Sequence, residues 1–119
     1  MKTAKSLSWL VALAGLWEVL APSILDYSAT TVALWNAIIS GVVLIILGVY
    51  TALNEDPGTD KTLGWVNAAV GVWLVVSPFV LGYVAVAAAL WNDIIVGAVV
   101  IVLATWAASV LDKEMTPQR

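Results

Sequence analysis

Four polar side chains lie inside otherwise apolar stretches of this sequence and are its candidates for chemistry: Glu18, Asn36, Asn92 and Asp93. A carboxyl group within an apolar segment is costly to bury, so the two acids indicate an ion, proton or ligand site unless protein groups pair with them. The asparagine amides can both donate and accept hydrogen bonds. We expect the four side chains to form one polar cluster that either holds helices together or lines a shallow site.

The composition narrows what such a cluster could do. The 119 residues include no cysteine and no histidine, which removes disulfides and the usual ligands of zinc, iron and haem. The sequence has no glycine-rich phosphate loop, no nucleophile with a neighbouring base and no basic nucleic-acid patch. We therefore expect no catalytic activity, no cofactor, no metal and no nucleic-acid partner.

Hydropathy assigns the chain to the membrane class. Hydrophobic residues make up 62% of it and charged residues 11%, with a mean hydropathy of +1.00. Charged residues alone are roughly a quarter of a typical soluble protein. The first apolar segment follows Lys2 and Lys5 as a signal peptide would, but it lacks a clear small-residue cleavage site and recurs inside the chain after Lys61, so we expect it to be retained.

The sequence repeats itself with an offset of 56 residues. The segment ALWNAIISG at 33–41 returns as ALWNDIIVG at 89–97, and the alignment continues without a gap on both sides. The matched positions include Trp9 and Trp65, Gly15 and Gly71, Trp17 and Trp73, Pro22 and Pro78, and Tyr27 and Tyr83. Two copies of one unit therefore make the protein.

Four apolar stretches are long enough to cross a bilayer, at about 6–25, 32–53, 62–81 and 84–110. They predict a first repeat over 1–53, a linker over 54–61, a second repeat over 62–111 and a charged tail over 112–119. Because each copy contains two spans, both copies insert with the same orientation. The sequence thus predicts an all-α membrane protein of two parallel helical hairpins, related by a pseudo-twofold axis along the membrane normal.

The cations predict the orientation. All five fall on the side of the termini and the linker, at Lys2, Lys5, Lys61, Lys113 and Arg119. Positively charged loops stay preferentially on the cytoplasmic side. We expect a multi-pass protein of the cytoplasmic membrane with both termini in the cytoplasm, so that the polar cluster lies in the outer half of the bilayer.

The two copies also resemble a known family. The segment GLWEVLAPSILDY at 15–27 and the segment GVWLVVSPFVLGY at 71–83 are each followed by ALWN. This pattern resembles the SPW repeat family of small membrane proteins, although the tripeptide reads APS at 21–23 and SPF at 77–79. The resemblance implies an integral membrane protein with two helices per repeat and no established biochemical activity.

Small residues predict where the helices pack. Ala33, Ala37 and Gly41 share one face of the second span, and Ala89, Asp93 and Gly97 share the matching face of the fourth. Such seams let membrane helices approach closely. Asp93 should therefore point into protein, either within the bundle or between subunits, as a polar clasp or as part of a transport site.

Glu18 has a similar setting. Its helical neighbours Ala14, Gly15, Ala21 and Pro22 form the smallest-residue face of the first span, which we expect to pack on another helix. The acid either stays protonated or reaches the outer interface, or it has an ion, proton or ligand role. Its repeat partner is Leu74, so the fold does not require an acid there.

Aromatic residues and prolines complete the pattern. We expect six aromatic residues to anchor the ends of the spans, namely Trp9, Tyr27, Tyr50, Trp65, Tyr83 and Trp106. Four deeper tryptophans either pack between the repeats or hold a lipid, quinone or pigment, namely Trp17, Trp35, Trp73 and Trp91. Pro22 and Pro78 each remove a helical hydrogen bond and should bend or end their helices.

The predicted function is a structural or interaction role in the membrane, as a subunit of a homo-oligomer or larger membrane complex. Four helices bury few faces, and the small-residue seams would offer contact surface to a neighbouring subunit. The alternative is a channel or carrier for a small ion or solute, lined by the polar cluster.

Overall fold

The computed structural model describes residues 2–115 as four α-helices and their connections. They are α1 (Lys2–Ile24), α2 (Thr31–Leu53), α3 (Pro57–Leu81) and α4 (Ala87–Met115). Each helix is long and apolar enough to cross a membrane, which confirms the predicted fold class. Met1 and residues 116–119, which include Arg119 and the second half of the predicted tail, lie outside the described residues.

The helices form a closed four-membered arrangement. Packing is most extensive within the two hairpins, between α1 and α2 and between α3 and α4, while α1 against α4 and α2 against α3 join the hairpins. The chain measures 54 × 22 × 16 Å along its principal axes. We call the end with the two short hairpin turns the turn end, and the opposite end the terminal end. The pseudo-twofold axis stays a prediction of the repeat.

Local capping moves the start of α3 from the predicted position near 62 to Pro57. Asp56 accepts hydrogen bonds from the Thr59 hydroxyl at 2.9 Å and from the Gly58 amide at 3.1 Å, and these bonds hold the pKa of its exposed carboxyl below the usual range. Proline is favoured at the first helical position because the missing N–H has no partner there. Only residues 54–56 of the predicted linker are non-helical.

Lysines hold the terminal end. The Lys5 ammonium donates to the carbonyls of Ala52 and Asn54, at 3.2 and 2.7 Å, where α2 ends. A cation is favourable there because the last carbonyls of a helix lack helical partners and carry partial negative charge. At the matching position of the second copy, Lys61 forms an ion pair with Asp112 at 2.6 Å. Each hairpin is thus tied at this end by one lysine.

The two turns share one backbone device. Asp26 and Gly82, which the repeat matches, both adopt a left-handed conformation with φ of 62° and 79°. The amides of the residues that follow, Tyr27 and Tyr83, then donate to the carbonyls of Pro22 and Pro78 at 2.9 and 3.0 Å. This reversal folds each tyrosine back beneath the end of its helix, and α4 consequently begins at Ala87 rather than at 84.

The helices of each hairpin touch through glycine. A Cβ atom on Gly41 would lie 2.6 Å from the Gly15 carbonyl oxygen, and one on Gly97 would lie 2.5 Å from that of Gly71. The backbones can come this close only because neither side has a side chain at the contact.

The predicted seam residues are all buried, namely Ala33, Ala37, Gly41, Ala89 and Gly97. Their glycines pack against the other helix of the same hairpin, against Gly15 in the first copy and Gly71 in the second. The seams are therefore occupied within the chain. The expectation that they offer contact surface to a neighbouring subunit was wrong.

We predict that Gly41→Ala lowers the stability of the protein by about 1–3 kcal/mol, because the added methyl group would overlap the backbone of α1 and force the hairpin apart. The measurement is the free energy of unfolding by denaturing detergent in mixed micelles. Gly64→Ala is the matched control, since a Cβ there meets its nearest atoms at an ordinary 3.4 Å. Equal losses in the two variants would contradict the close contact.

Candidate functional site

The four predicted polar side chains meet in one buried cluster near the turn end. Glu18 and Asp93 have no exposed surface, and Asn36 and Asn92 are 8% and 7% exposed. Each lies five or six residues from the turn end of its helix, a rise of about 8–9 Å. We refer to these four residues, together with the partners described below, as the polar cluster: Trp17, Glu18, Tyr27, Asn36, Trp73, Ser77, Tyr83, Asn92 and Asp93.

The side chain of Asn92, in the second repeat, forms hydrogen bonds with three residues of the first repeat. Its side-chain oxygen accepts from the Trp17 indole at 2.7 Å. Its amide group donates to Glu18 Oε1 at 2.8 Å and to the Tyr27 hydroxyl at 3.1 Å. Both amide hydrogens of Asn92 are therefore used between the repeats.

Asn36 of the first repeat makes the reciprocal contacts. Its oxygen accepts from the Trp73 indole at 2.8 Å, and its amide group donates to the Tyr83 hydroxyl at 2.9 Å and to Ser77 Oγ at 3.0 Å. The indole and tyrosine partners match those of Asn92 at the 56-residue offset. Each asparagine thus binds the equivalent tryptophan and tyrosine of the other copy.

The third partner differs between the copies for a local reason. Pro78 has no N–H, so the Leu74 carbonyl four residues earlier loses its helical donor. The Ser77 hydroxyl donates to that carbonyl at 2.9 Å while it accepts from Asn36. The first copy has Ala21 where the second has Ser77, so no hydroxyl is present, and the Glu18 carboxyl accepts from the asparagine instead.

Asp93 joins the two halves of the cluster. The Tyr83 hydroxyl donates a hydrogen bond to Asp93 Oδ2. The other carboxyl oxygen, Oδ1, is buried and has no hydrogen-bond partner, and the same is true of Glu18 Oε2. The two carboxyl groups lie within hydrogen-bonding reach of each other. Asp93 therefore points into the bundle of its own chain.

For the two turn tyrosines, the sequence predicted the wrong role. Tyr27 and Tyr83 are 3% and 4% exposed, so they belong to the core of the cluster rather than to an interfacial belt. Burial raises the pKa of both hydroxyls, which keeps them protonated and able to donate. The sequence signal that could have found them is their shared position directly after Asp26 and Gly82, residue types that favour a left-handed turn.

The deep tryptophans divide into two pairs. Trp17 and Trp73 pack between the repeats as predicted, because their indoles donate to the asparagines of the other copy. Trp35 and Trp91 instead face outward, with 55% and 59% of their surface exposed, so packing between the repeats was wrong for these two. Sequence spacing did not separate the pairs, since all four lie at similar depth.

The two prolines lie inside their helices rather than at the helix ends. Pro22 and Pro78 are buried, and α1 and α3 continue past them to Ile24 and Leu81; the bend itself stays a prediction.

Open apolar grooves run along the outer surface, one of them beside Ile45, Ile46 and Val49 of α2. Their walls suit acyl chains and include none of the four predicted polar residues.

Comparison with known proteins assigns the family. No curated protein and no solved structure matches this chain. The family model of the SPW repeat domain matches residues 5–107, a range that covers most of both copies and all nine residues of the polar cluster. Together with the four membrane-length helices and the duplicated asparagine contacts, this match shows that the chain is a small multi-pass membrane protein that belongs to the SPW repeat family.

Proposed function

We propose that this protein is a non-catalytic structural or interaction subunit of the cytoplasmic membrane, in which the polar cluster locks the two hairpins together. The observation that supports this role is the reciprocal binding of Asn36 and Asn92. Each asparagine uses its oxygen and both amide hydrogens on the opposite repeat. A conducting site would need polar groups that are free for a passing solute.

The bonds matter because of where they form. Hydrocarbon offers no hydrogen-bonding partner, so a separated hairpin would leave these amide, indole and hydroxyl groups unsatisfied. Measured interhelical hydrogen bonds in membranes average about 0.6 kcal/mol each. The six bonds between the two asparagines and the opposite copies would contribute about 4 kcal/mol, a large share of the stability of a small protein.

The orientation and the assembly are parts of the same proposal. Lys5, Lys61 and Lys113 fall at the terminal end, which supports a cytoplasmic location for that end. Of the 18-residue apolar stretch of α2, only 33% is buried within the chain. The contact between α2 and α3 is the smallest of the four helix contacts described above. This outer face of α2 supports association with a second copy or with another membrane protein, with lipid on the remaining surface.

We predict that Asn92→Leu lowers the free energy of unfolding in mixed micelles by about 2 kcal/mol, because three bonds to the first repeat are lost at about 0.6 kcal/mol each. Trp91→Leu is the matched control, since the neighbouring Trp91 faces outward and should change stability little. If Asn92→Leu is as stable as the control, the polar cluster does not hold the hairpins together.

A channel or carrier is the second candidate, and one observation favours it: the two unpartnered carboxyl oxygens of Glu18 and Asp93. We expect liposomes that contain the protein to pass protons and monovalent cations no faster than empty liposomes, because the cluster is bonded internally. A flux in the unaltered protein that Asp93→Asn abolishes would establish the second candidate and overturn the structural one.

We predict that the detergent-extracted assembly has a protein mass of two or more times the 12.6 kDa of one chain. Light scattering with separate detection of detergent and protein gives this mass. Val42→Ala and Ile46→Ala reduce the exposed apolar surface of α2 and should shift the assembly toward the single chain. Val102→Ala, on the exposed surface of α4, should not. A single-chain mass for the unaltered protein would contradict the homo-oligomer but not the proposed role of the polar cluster within the chain.

A further inference from the structure

Two carboxyl oxygen atoms of the polar cluster have no hydrogen-bond donor among the residues that the structure describes. Within residues 2–115, Glu18 Oε2 and Asp93 Oδ1 are buried and without a hydrogen-bond partner. Both residues have no exposed surface. An unsatisfied buried polar atom is destabilising, and more so at membrane depth where no solvent can replace the missing partner.

The two atoms belong to carboxyl groups that face each other. Glu18 extends from α1 and Asp93 from α4, and their carboxyl groups lie within hydrogen-bonding reach. Two ionised carboxylates can only accept hydrogen bonds, so they cannot satisfy each other and would also repel. A single proton on either oxygen supplies the missing donor for one and the missing acceptor for the other.

We propose that Glu18 and Asp93 share one proton between Oε2 and Oδ1, which makes the pair a buried proton-binding site. The remaining two carboxyl oxygens already have donors, Glu18 Oε1 from the Asn92 amide and Asp93 Oδ2 from the Tyr83 hydroxyl. One proton therefore completes the pair. This site goes beyond the structural role and does not depend on whether that role is correct.

The surroundings of the pair favour one proton over none. The titratable groups around it are the hydroxyls of Tyr27 and Tyr83 from the turns, both kept protonated by burial. The cluster residues that approach Tyr83 from α2 and α3 are neutral: Asn36 donates to its hydroxyl, and Ser77 Oγ lies 3.1 Å from it. Hydroxyl and amide donors can stabilise one negative charge on the pair. A second negative charge would lie beside the first with no cation among these neighbours to offset it.

A small cation is the competing occupant of the same oxygens. A sodium ion needs several oxygen ligands, and three of the available oxygens nearby are already engaged, on Glu18, Tyr27 and Asp93. A proton needs only the two atoms that are unpartnered. The hydrogen-bond inventory therefore favours the proton.

The test is infrared spectroscopy of the full-length protein in lipid bilayers at neutral pH. We expect a carbonyl stretching band of a protonated carboxyl group that shifts when water is replaced by deuterium oxide. Glu18→Gln should abolish this band, because the glutamine amide can donate to Asp93 Oδ1 in place of the proton. Asp60→Asn is the matched control, since it removes another buried acid, at 4% exposure, and should leave the band unchanged.

A stability measurement keeps the proposal testable if the variants fold poorly. Glu18→Gln should unfold at a higher denaturant concentration than Glu18→Leu, because leucine leaves Asp93 Oδ1 with no donor while glutamine supplies one. Any one of four results would overturn the proposal: no protonated-carboxyl band in the unaltered protein, a band that persists in Glu18→Gln, a band that disappears in Asp60→Asn, or a stability that rises with sodium concentration at constant ionic strength.

Discussion

The structure depends on one constraint, which is that polar groups at membrane depth must find their partners inside the protein. Asn36 and Asn92 meet this constraint through each other's repeat, since each binds a tryptophan and a tyrosine of the opposite copy. A hairpin on its own would leave these groups facing lipid. The duplication and the polar cluster are therefore two aspects of one solution, in which neither copy is satisfied without the other.

Glycine and the left-handed turns set the geometry that this solution needs. The contacts of Gly15 with Gly41 and of Gly71 with Gly97 fix the separation of the helices within each hairpin. The reversal at residues 26 and 82 then brings a tyrosine hydroxyl back to the level of the asparagines. These are backbone features, and they set where the polar side chains lie within the bundle.

The two copies differ at the residues where α1 and α4 of the chain meet. Glu18 occupies the place of Leu74, and Asp93 occupies the place of Ala37, so the second pair of equivalent positions is apolar. Glu18 takes over the acceptor role of Ser77, whereas Asp93 has no counterpart in that network. The two acids are thus the asymmetric part of a polar cluster whose asparagine, tryptophan and tyrosine contacts are duplicated.

The sequence by itself determined the membrane class, the four helices, the duplication and the identity of the four polar residues, because apolar length and the 56-residue offset are properties of the linear chain. Only the tertiary structure decided which side chains satisfy those residues. The helix limits at Pro57 and Ala87, the burial of Tyr27 and Tyr83 and the outward position of Trp35 depend on caps, turns and helix rotation. Hydropathy does not encode these features, because an apolar segment has the same length whichever of its faces meets a neighbouring helix.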